Sequence, residues 1–234
     1  MFPLRKPAKI DDRIAFGMSI QGSFMKKTIA ILALAAGGFA AQAAGLESLE
    51  GFVKSAKSGR SEFTQVVTAP ARDGQAARSK TSTGTFEFVR PNRFRFDYRK
   101  PFEQTIVADG QTLWLYDADL RQVTSRKQAQ VLGSTPAALI AAAPDLASLR
   151  KDFNLESAGD GDGLQWVQAT PKAKDGQLRS VKAGFKGNEL AALEILDSFG
   201  QRSVITFSKM ELNAAVPAER FDFKPPQGAD VLKQ

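Results

Sequence analysis

The chain has no cysteine and no histidine in 234 residues. The first absence excludes disulfides, so the fold must rest on its own sheet and core. Together the two absences remove Ser-His-Asp and Cys-His catalysis and most zinc sites. Clustered carboxylates are missing too: Asp109, Asp117, Asp119, Asp160, Asp162 and Asp175 all fall at turn signals. The run Gly159-Asp160-Gly161-Asp162-Gly163 lacks the alternating oxygen ligands and terminal bidentate glutamate of a calcium loop, and it reads as a solvated hairpin. No catalytic residue, metal or cofactor is expected, and an enzyme is the weakest reading. Long apolar runs are also scarce: Thr28 to Ala41 is too short for a transmembrane helix.

That short run reads instead as a targeting segment. Met25-Lys26-Lys27 supplies a basic start, an alanine-rich apolar stretch follows, and Ala41-Gln42-Ala43 gives a small-x-small cleavage signal. The expected organisation is an upstream extension over residues 1–24, a signal peptide over 25–43, and one domain over 44–234. The alternative is a cytoplasmic tail with a signal anchor. Removing residues 1–43 lowers the net charge from +7 to +3, which does not call for nucleic acid. With no cysteine after the signal there is no site for a lipid-modified N-terminus, so a soluble, unanchored product is expected.

What the chain does have is phenylalanine, 17 in all, and a stretch that arranges them. From Thr83 to Asp117 four strands follow one another. Phe86 and Phe88 alternate with Thr85, Glu87 and Val89; Phe94, Phe96 and Tyr98 alternate with Arg93, Arg95, Asp97 and Arg99. Period-two alternation of this kind marks strands with one apolar and one wet face. Gln104–Asp109 and Thr112–Asp117 flank Asp109-Gly110, a hairpin signal.

Around this meander, Leu46, Leu49, Val53 and Ala56 form the stripe of an amphipathic helix over Gly45–Ser58. Strands are predicted over Ser61–Thr68, Arg121–Ser125, Asp152–Ser157, Gln165–Pro171, Leu178–Phe185, Leu190–Asp197 and Ser203–Leu212, and Phe221–Leu232 as an extended edge segment. The segment from Val131 to Ala143 breaks the pattern as a short apolar helix after Pro136. It has no polar face and must dock on something greasy. The predicted fold is mainly β with a few helices: one incomplete antiparallel barrel of about eleven strands, with helices on its concave side.

Two basic features need separate readings. Arg93, Arg95 and Arg99 lie on the face opposite the aromatics, whereas a nucleic-acid platform needs both together; a solvated outer row is expected. Arg90 falls on the aromatic side, just before Pro91. A buried guanidinium needs acceptors, and the last carbonyls of a helix packed over the sheet are the natural ones. The alternative is a strand-end arginine that snorkels to the rim.

The combination Phe63-Thr-Gln65, Phe88-Val-Arg-Pro-Asn-Arg-Phe94, Ile106 to Gly110, Leu113-Trp-Leu-Tyr116, Thr135-Pro136 before Leu139-Ile140, Thr170-Pro171-Lys172 and Phe221-Asp-Phe-Lys-Pro-Pro-Gln-Gly228 resembles the outer-membrane lipoprotein carrier family, LolA. The resemblance implies an open barrel whose helices form a lid over an apolar cavity. It also implies a periplasmic shuttle, a monomer, that accepts lipoproteins from an inner-membrane ABC exporter, shields their acyl chains and delivers them to a LolB-type outer-membrane receptor. By the same resemblance Arg90 is the lid latch and Phe94 the cargo-uptake residue at the cavity rim. Phe63, Phe86, Phe88, Phe96, Tyr98, Ile106, Leu113 and Leu115 are expected to wall the cavity, with Leu139 and Ile140 in the lid. The lid residues are smaller here than is common in the family. Two rivals stand beside this reading: a carrier of another lipid or glycolipid on the same scaffold, and a periplasmic domain that binds a protein partner through its curved sheet.

Overall fold

A computed structural model describes residues 37–71, 76–131, 145–174 and 176–234. The expected initiator Met25 and the lid residues Leu139 and Ile140 lie outside them. The described elements run α1 (Gly37–Ser55), β1 (Ser58–Thr68), β2 (Ser79–Val89), β3 (Arg93–Lys100), β4 (Gln104–Asp109), β5 (Thr112–Asp117), β6 (Gln122–Lys127) and α2 (Gln128–Val131). There follow α3 (Leu146–Asp152), β7 (Phe153–Gly161), β8 (Leu164–Pro171), β9 (Leu178–Lys186), β10 (Glu189–Asp197), β11 (Arg202–Leu212), a 3-10 turn (Ala218–Phe221) and β12 (Asp230–Lys233). No helix among the described residues is long and apolar enough to cross a membrane.

All twelve described strands form one sheet in the order β12-β6-β5-β4-β3-β2-β1-β11-β10-β9-β8-β7. The two ends of that order do not pair, so the barrel stays open. Every pairing is antiparallel except β12 on β6, which is parallel. The count exceeds the expected eleven because the extended C-terminal segment, past the double proline, forms a true strand. The four-strand meander is present with each strand within a few residues of its predicted bounds, and α1 starts earlier than Gly45 and gives way sooner to β1.

The alternation dictates which face is buried. Phe63, Phe86, Phe88, Phe94 and Phe96 are all at most 8% exposed and belong to one cluster with Phe153, Phe185, Leu193, Ile205 and Phe207. On α1, Leu49, Phe52, Val53 and Ala56 are buried against this cluster, as the helical stripe requires. Phe52 touches Phe88 of β2 at 6.1 Å and Phe185 of β9 at 5.8 Å between ring centroids. One side chain therefore bridges strands that three others separate in the sheet, which is a direct measure of its curvature. Its burial contributes about 1.5–3 kcal/mol.

Close approach explains two glycines. A Cβ on Gly45 would overlap the Trp166 carbonyl, so glycine lets α1 settle onto β8. A Cβ on Gly84 would overlap the Asp97 carbonyl and meet the Phe63 ring at 2.9 Å. At the far end α3 begins with Asp145, whose carboxylate accepts from the Ser148 amide at 2.7 Å, and that bond holds its pKa below the usual range.

The outer face departs from expectation. The arginine row is not simply solvated, because the C-terminal segment crosses it. Arg95 Nε donates to Asp97 at 2.6 Å, and its Nη1 donates to the Arg220 carbonyl at 3.1 Å. Arg220 in turn pairs with Glu87 at 2.7 Å and Asp97 at 3.2 Å. Arg93 lies over the ring of Phe221, which is 1% exposed, and Phe223 packs on Trp114 and Tyr116. Of the three arginines only Arg99 is exposed. Phe221 thus forms a second apolar contact on the outer face, in a 3-10 turn at the start of what was expected to be an extended edge segment.

Candidate functional site

The strands of the meander end alternately at two edges of the sheet, and the edges differ. At one edge β2 leads into Arg90 and α1 covers the ends. Arg90 Nε donates to the carbonyl of Ala56, one residue past α1, at 2.9 Å, and the Arg90 amide donates to the Lys57 carbonyl at 2.8 Å. Its guanidinium also faces the rings of Phe52 (5.2 Å) and Phe88 (5.8 Å). Burial pushes its pKa down to about 10, which leaves it cationic at neutral pH. The guanidinium therefore caps the C-terminal, partially negative end of α1. The sequence argument for a helix-end acceptor is met in its geometry; the snorkelling alternative is not.

Beyond Arg90 the aromatic face is filled. Phe86 stacks against Phe88 (5.7 Å) and packs at a tilt on Phe96 (4.5 Å), Phe63 meets Phe96 edge-on at 5.5 Å, and Phe94 does the same at 6.2 Å. Phe94 is 3% exposed and pairs in register with Phe88 and Ala108. Phe94, expected at the cavity rim, is instead inside the core at the Arg90 edge, packed among Phe88, Phe96 and Ala108. Ile106 and Leu113 pack on the cluster, and Leu115 shares their face through its register with Ile106.

At the opposite edge the sheet is open. A cavity of about 740 Å³ is lined by Gln65, Val67, Ser82, Tyr98, Phe102, Gln104 and Leu120, among others. Its size falls within the range of small-ligand sites. Of the eight expected wall residues only Tyr98 lines it; the other seven sit on the packed side of the face. The pattern of alternation reports the face and not whether neighbouring rings have closed upon each other. Tyr98 forms the junction, with its ring edge-on to Phe63 at 5.0 Å and stacked near Phe96 at 6.4 Å. Burial raises its phenol pKa to about 12. Phe102, Leu120 and Phe199 are exposed in the loops of this same edge.

Residues 54–224 match the sequence model of the outer membrane lipoprotein carrier protein family, LolA. The chain belongs to the LolA family. It is similar to an outer-membrane lipoprotein carrier protein from Albidiferax ferrireducens, at 66% identity over 89% of this chain and 100% of the relative. Another relative of that description, from Methylibium petroleiphilum, is 56% identical over 88% of this chain and 97% of its own. A crystal structure of a LolA superfamily protein from Nitrosomonas europaea covers 78% of this chain and 98% of its own, at 14% identity and a TM-score of 0.44.

Two polar side chains, Gln128 and Asp109, hold this LolA-type wall in place. Gln128, 1% exposed, donates from Nε2 to the Asn92 carbonyl at 2.6 Å and accepts from the Gly110 amide at 3.0 Å. One buried amide thereby joins the hairpin after Arg90-Pro91 to the Asp109-Gly110 hairpin. Asp109 accepts from the amides of Gln111 and Thr112 and from the Trp114 indole at 3.0 Å. The Asp-Gly dipeptide signalled the turn; nothing in the local sequence signalled Gln128.

Proposed function

We propose that this chain is a periplasmic lipoprotein carrier. It accepts lipoproteins released by an inner-membrane ABC exporter, shields their acyl chains and passes them to an outer-membrane receptor of LolB type. Its family membership supports the cargo class, and the observation that carries the reading is one inner face that is aromatic and packed at the Arg90 edge and opens into a cavity at the other. Such a face has room to begin holding an acyl chain and can lengthen its hold only by separating rings already in contact.

The physics asks for that compromise. Exposure of an acyl chain to water costs about 0.8 kcal/mol per methylene, about 12 kcal/mol for a chain of about 15 carbons. A site that recovered all of this for several chains would approach the ceiling of non-covalent affinity and release nothing. The apolar surface buries itself: Phe52 of α1 occupies the space between Phe88 and Phe185. Cargo and helix then compete for one surface, and the Arg90–Ala56 bond biases the contest towards the empty form. Arg90 is the proposed latch, Leu139 and Ile140 the proposed lid, and Phe94 a residue that meets cargo once the core parts. Cleavage before Ala44, with Met25 as the start, completes the proposal for export.

The test is composition. Protein taken from the periplasm of growing cells is expected to carry acylated polypeptide, identified by mass spectrometry, and to begin at Ala44. Recovery with only free lipid or glycolipid would replace lipoprotein as the cargo, and an empty protein that takes up no apolar dye would overturn the carrier reading.

A further inference from the structure

The inner face changes chemistry in steps from the Arg90 edge outward. Phe88 pairs with Phe94, and one step on Phe86 pairs with Phe96 and Phe96 with Ile106. At the next step Tyr98 pairs with Gly84 on one side and Gln104 on the other. Beyond lies Gln65 opposite Ser82. Tyr98, Gln104, Gln65 and Ser82 all line the cavity. An aromatic floor therefore gives way to one phenol and then to a collar of amides and a hydroxyl.

An acyl chain has the same order of chemistry. Its methylenes are apolar, its first carbon is a carbonyl that accepts hydrogen bonds, and a polar headgroup follows. Tyr98 is half-buried and lines the cavity, and among the described residues none hydrogen-bonds its hydroxyl, which is left to serve whatever enters there. Its ring is held by Phe63 and Phe96, and Gly84 opposite leaves the Phe63 ring its place. Gln65, by contrast, already donates from Nε2 to Ser203 at 2.6 Å.

We propose that Tyr98 is the residue that reads the acyl carbonyl: its hydroxyl donates to the ester or amide oxygen where chain meets headgroup, and so sets how deep the chain lies. This rests on the carrier reading above and adds a discrimination to it. The methylenes run towards Phe63 and Phe96, and the headgroup faces Gln65, Ser82 and Gln104. A site that donates to a carbonyl penalises an analogue lacking one, because its donor then stays unpaired.

The experiment compares dioctanoylglycerol with its diether analogue, which has the same chains and no carbonyls, in displacement of a fluorescent apolar dye from the purified protein and from its Tyr98→Phe variant. The unaltered protein is expected to hold the diester about three- to tenfold more tightly, the range of one hydrogen bond. Tyr98→Phe is expected to weaken the diester alone and erase the difference. Equal weakening of both lipids, or unchanged diester binding, overturns the proposal while leaving lipid carriage intact. Failure of the unaltered protein to bind either lipid overturns the carrier reading itself. A carbonyl-labelled diester gives a second readout independent of affinity: its infrared stretch is expected to move to lower frequency in the unaltered protein and not in Tyr98→Phe, and an unmoved band overturns the assignment.

Discussion

Arg90 and Ala56 are joined across 34 positions of sequence by a 2.9 Å bond from guanidinium to carbonyl. It fastens the end of α1 to the end of β2, at the edge where the aromatic face is filled. Any cargo that enters between α1 and the sheet must work against this bond.

Arg90→Leu is therefore expected to load cargo and unload it slowly. Loss of a charge-assisted hydrogen bond of about 1.5 kcal/mol corresponds to about a tenfold change in the balance of empty and loaded forms. The rate of lipoprotein transfer to a receptor checks this; transfer at the unaltered rate removes the latch from the account.

Gln128 predicts a pH signature. Gln128→Glu replaces the donor that faces the Asn92 carbonyl with an oxygen and buries a charge, so a loss of about 3 kcal/mol or more is expected at neutral pH. Protonation restores a donor. The introduced carboxyl has a folded pKa raised above its unfolded value of about 4.3, so the stability of the variant rises as pH falls through the folded value. Urea midpoints at several pH values read this directly, and a pH-independent loss contradicts it.

Arg220 holds the C-terminal segment on the outer face. Burial opposes its charge, but its bonds to Glu87 and Asp97 more than offset this and raise its pKa. Arg220→Ala leaves the half-buried Glu87 carboxylate without its cation, while Asp97 keeps Arg95, and is expected to cost about 1–3 kcal/mol. Hydrogen exchange is expected to quicken in residues 218–233 ahead of the meander; uniform change, or none, argues that Phe221 alone anchors the segment.

Tyr98 predicts alkaline behaviour. Its phenol, raised by burial to about 12 in the folded chain, ionises near 10 when unfolded. The unfolded chain therefore sheds its proton first, and stability is lost as pH rises from about 10 towards 12. Tyr98→Phe is expected to resist alkaline unfolding relative to the unaltered protein, by circular dichroism; parallel curves contradict the burial argument.

The alternation of Phe86, Phe88, Phe94 and Phe96 made the sheet and its apolar face legible, since period two leaves no other arrangement for them. The orientation of Arg90 followed from the same count. Three features escaped because their causes are distant in sequence. Gln128 is fixed by carbonyl and amide partners in two other hairpins. The covering of Arg93 and Arg95 depends on where Phe221 returns in space, beyond a loop and a 3-10 turn. The closure of the rings depends on strands that meet across the curve, where Phe52 of α1 sits between Phe88 and Phe185, and no pattern within one strand reports that.

The most direct test of the account starts from inner-membrane vesicles that hold an energised lipoprotein exporter. The purified chain is added, the membranes are sedimented, and the supernatant is assayed for lipoprotein. The account predicts lipoprotein in solution, bound to this chain, with its acyl chains protected from lipase. Lipoprotein that remains with the membranes, or leaves them only as aggregate, would contradict it.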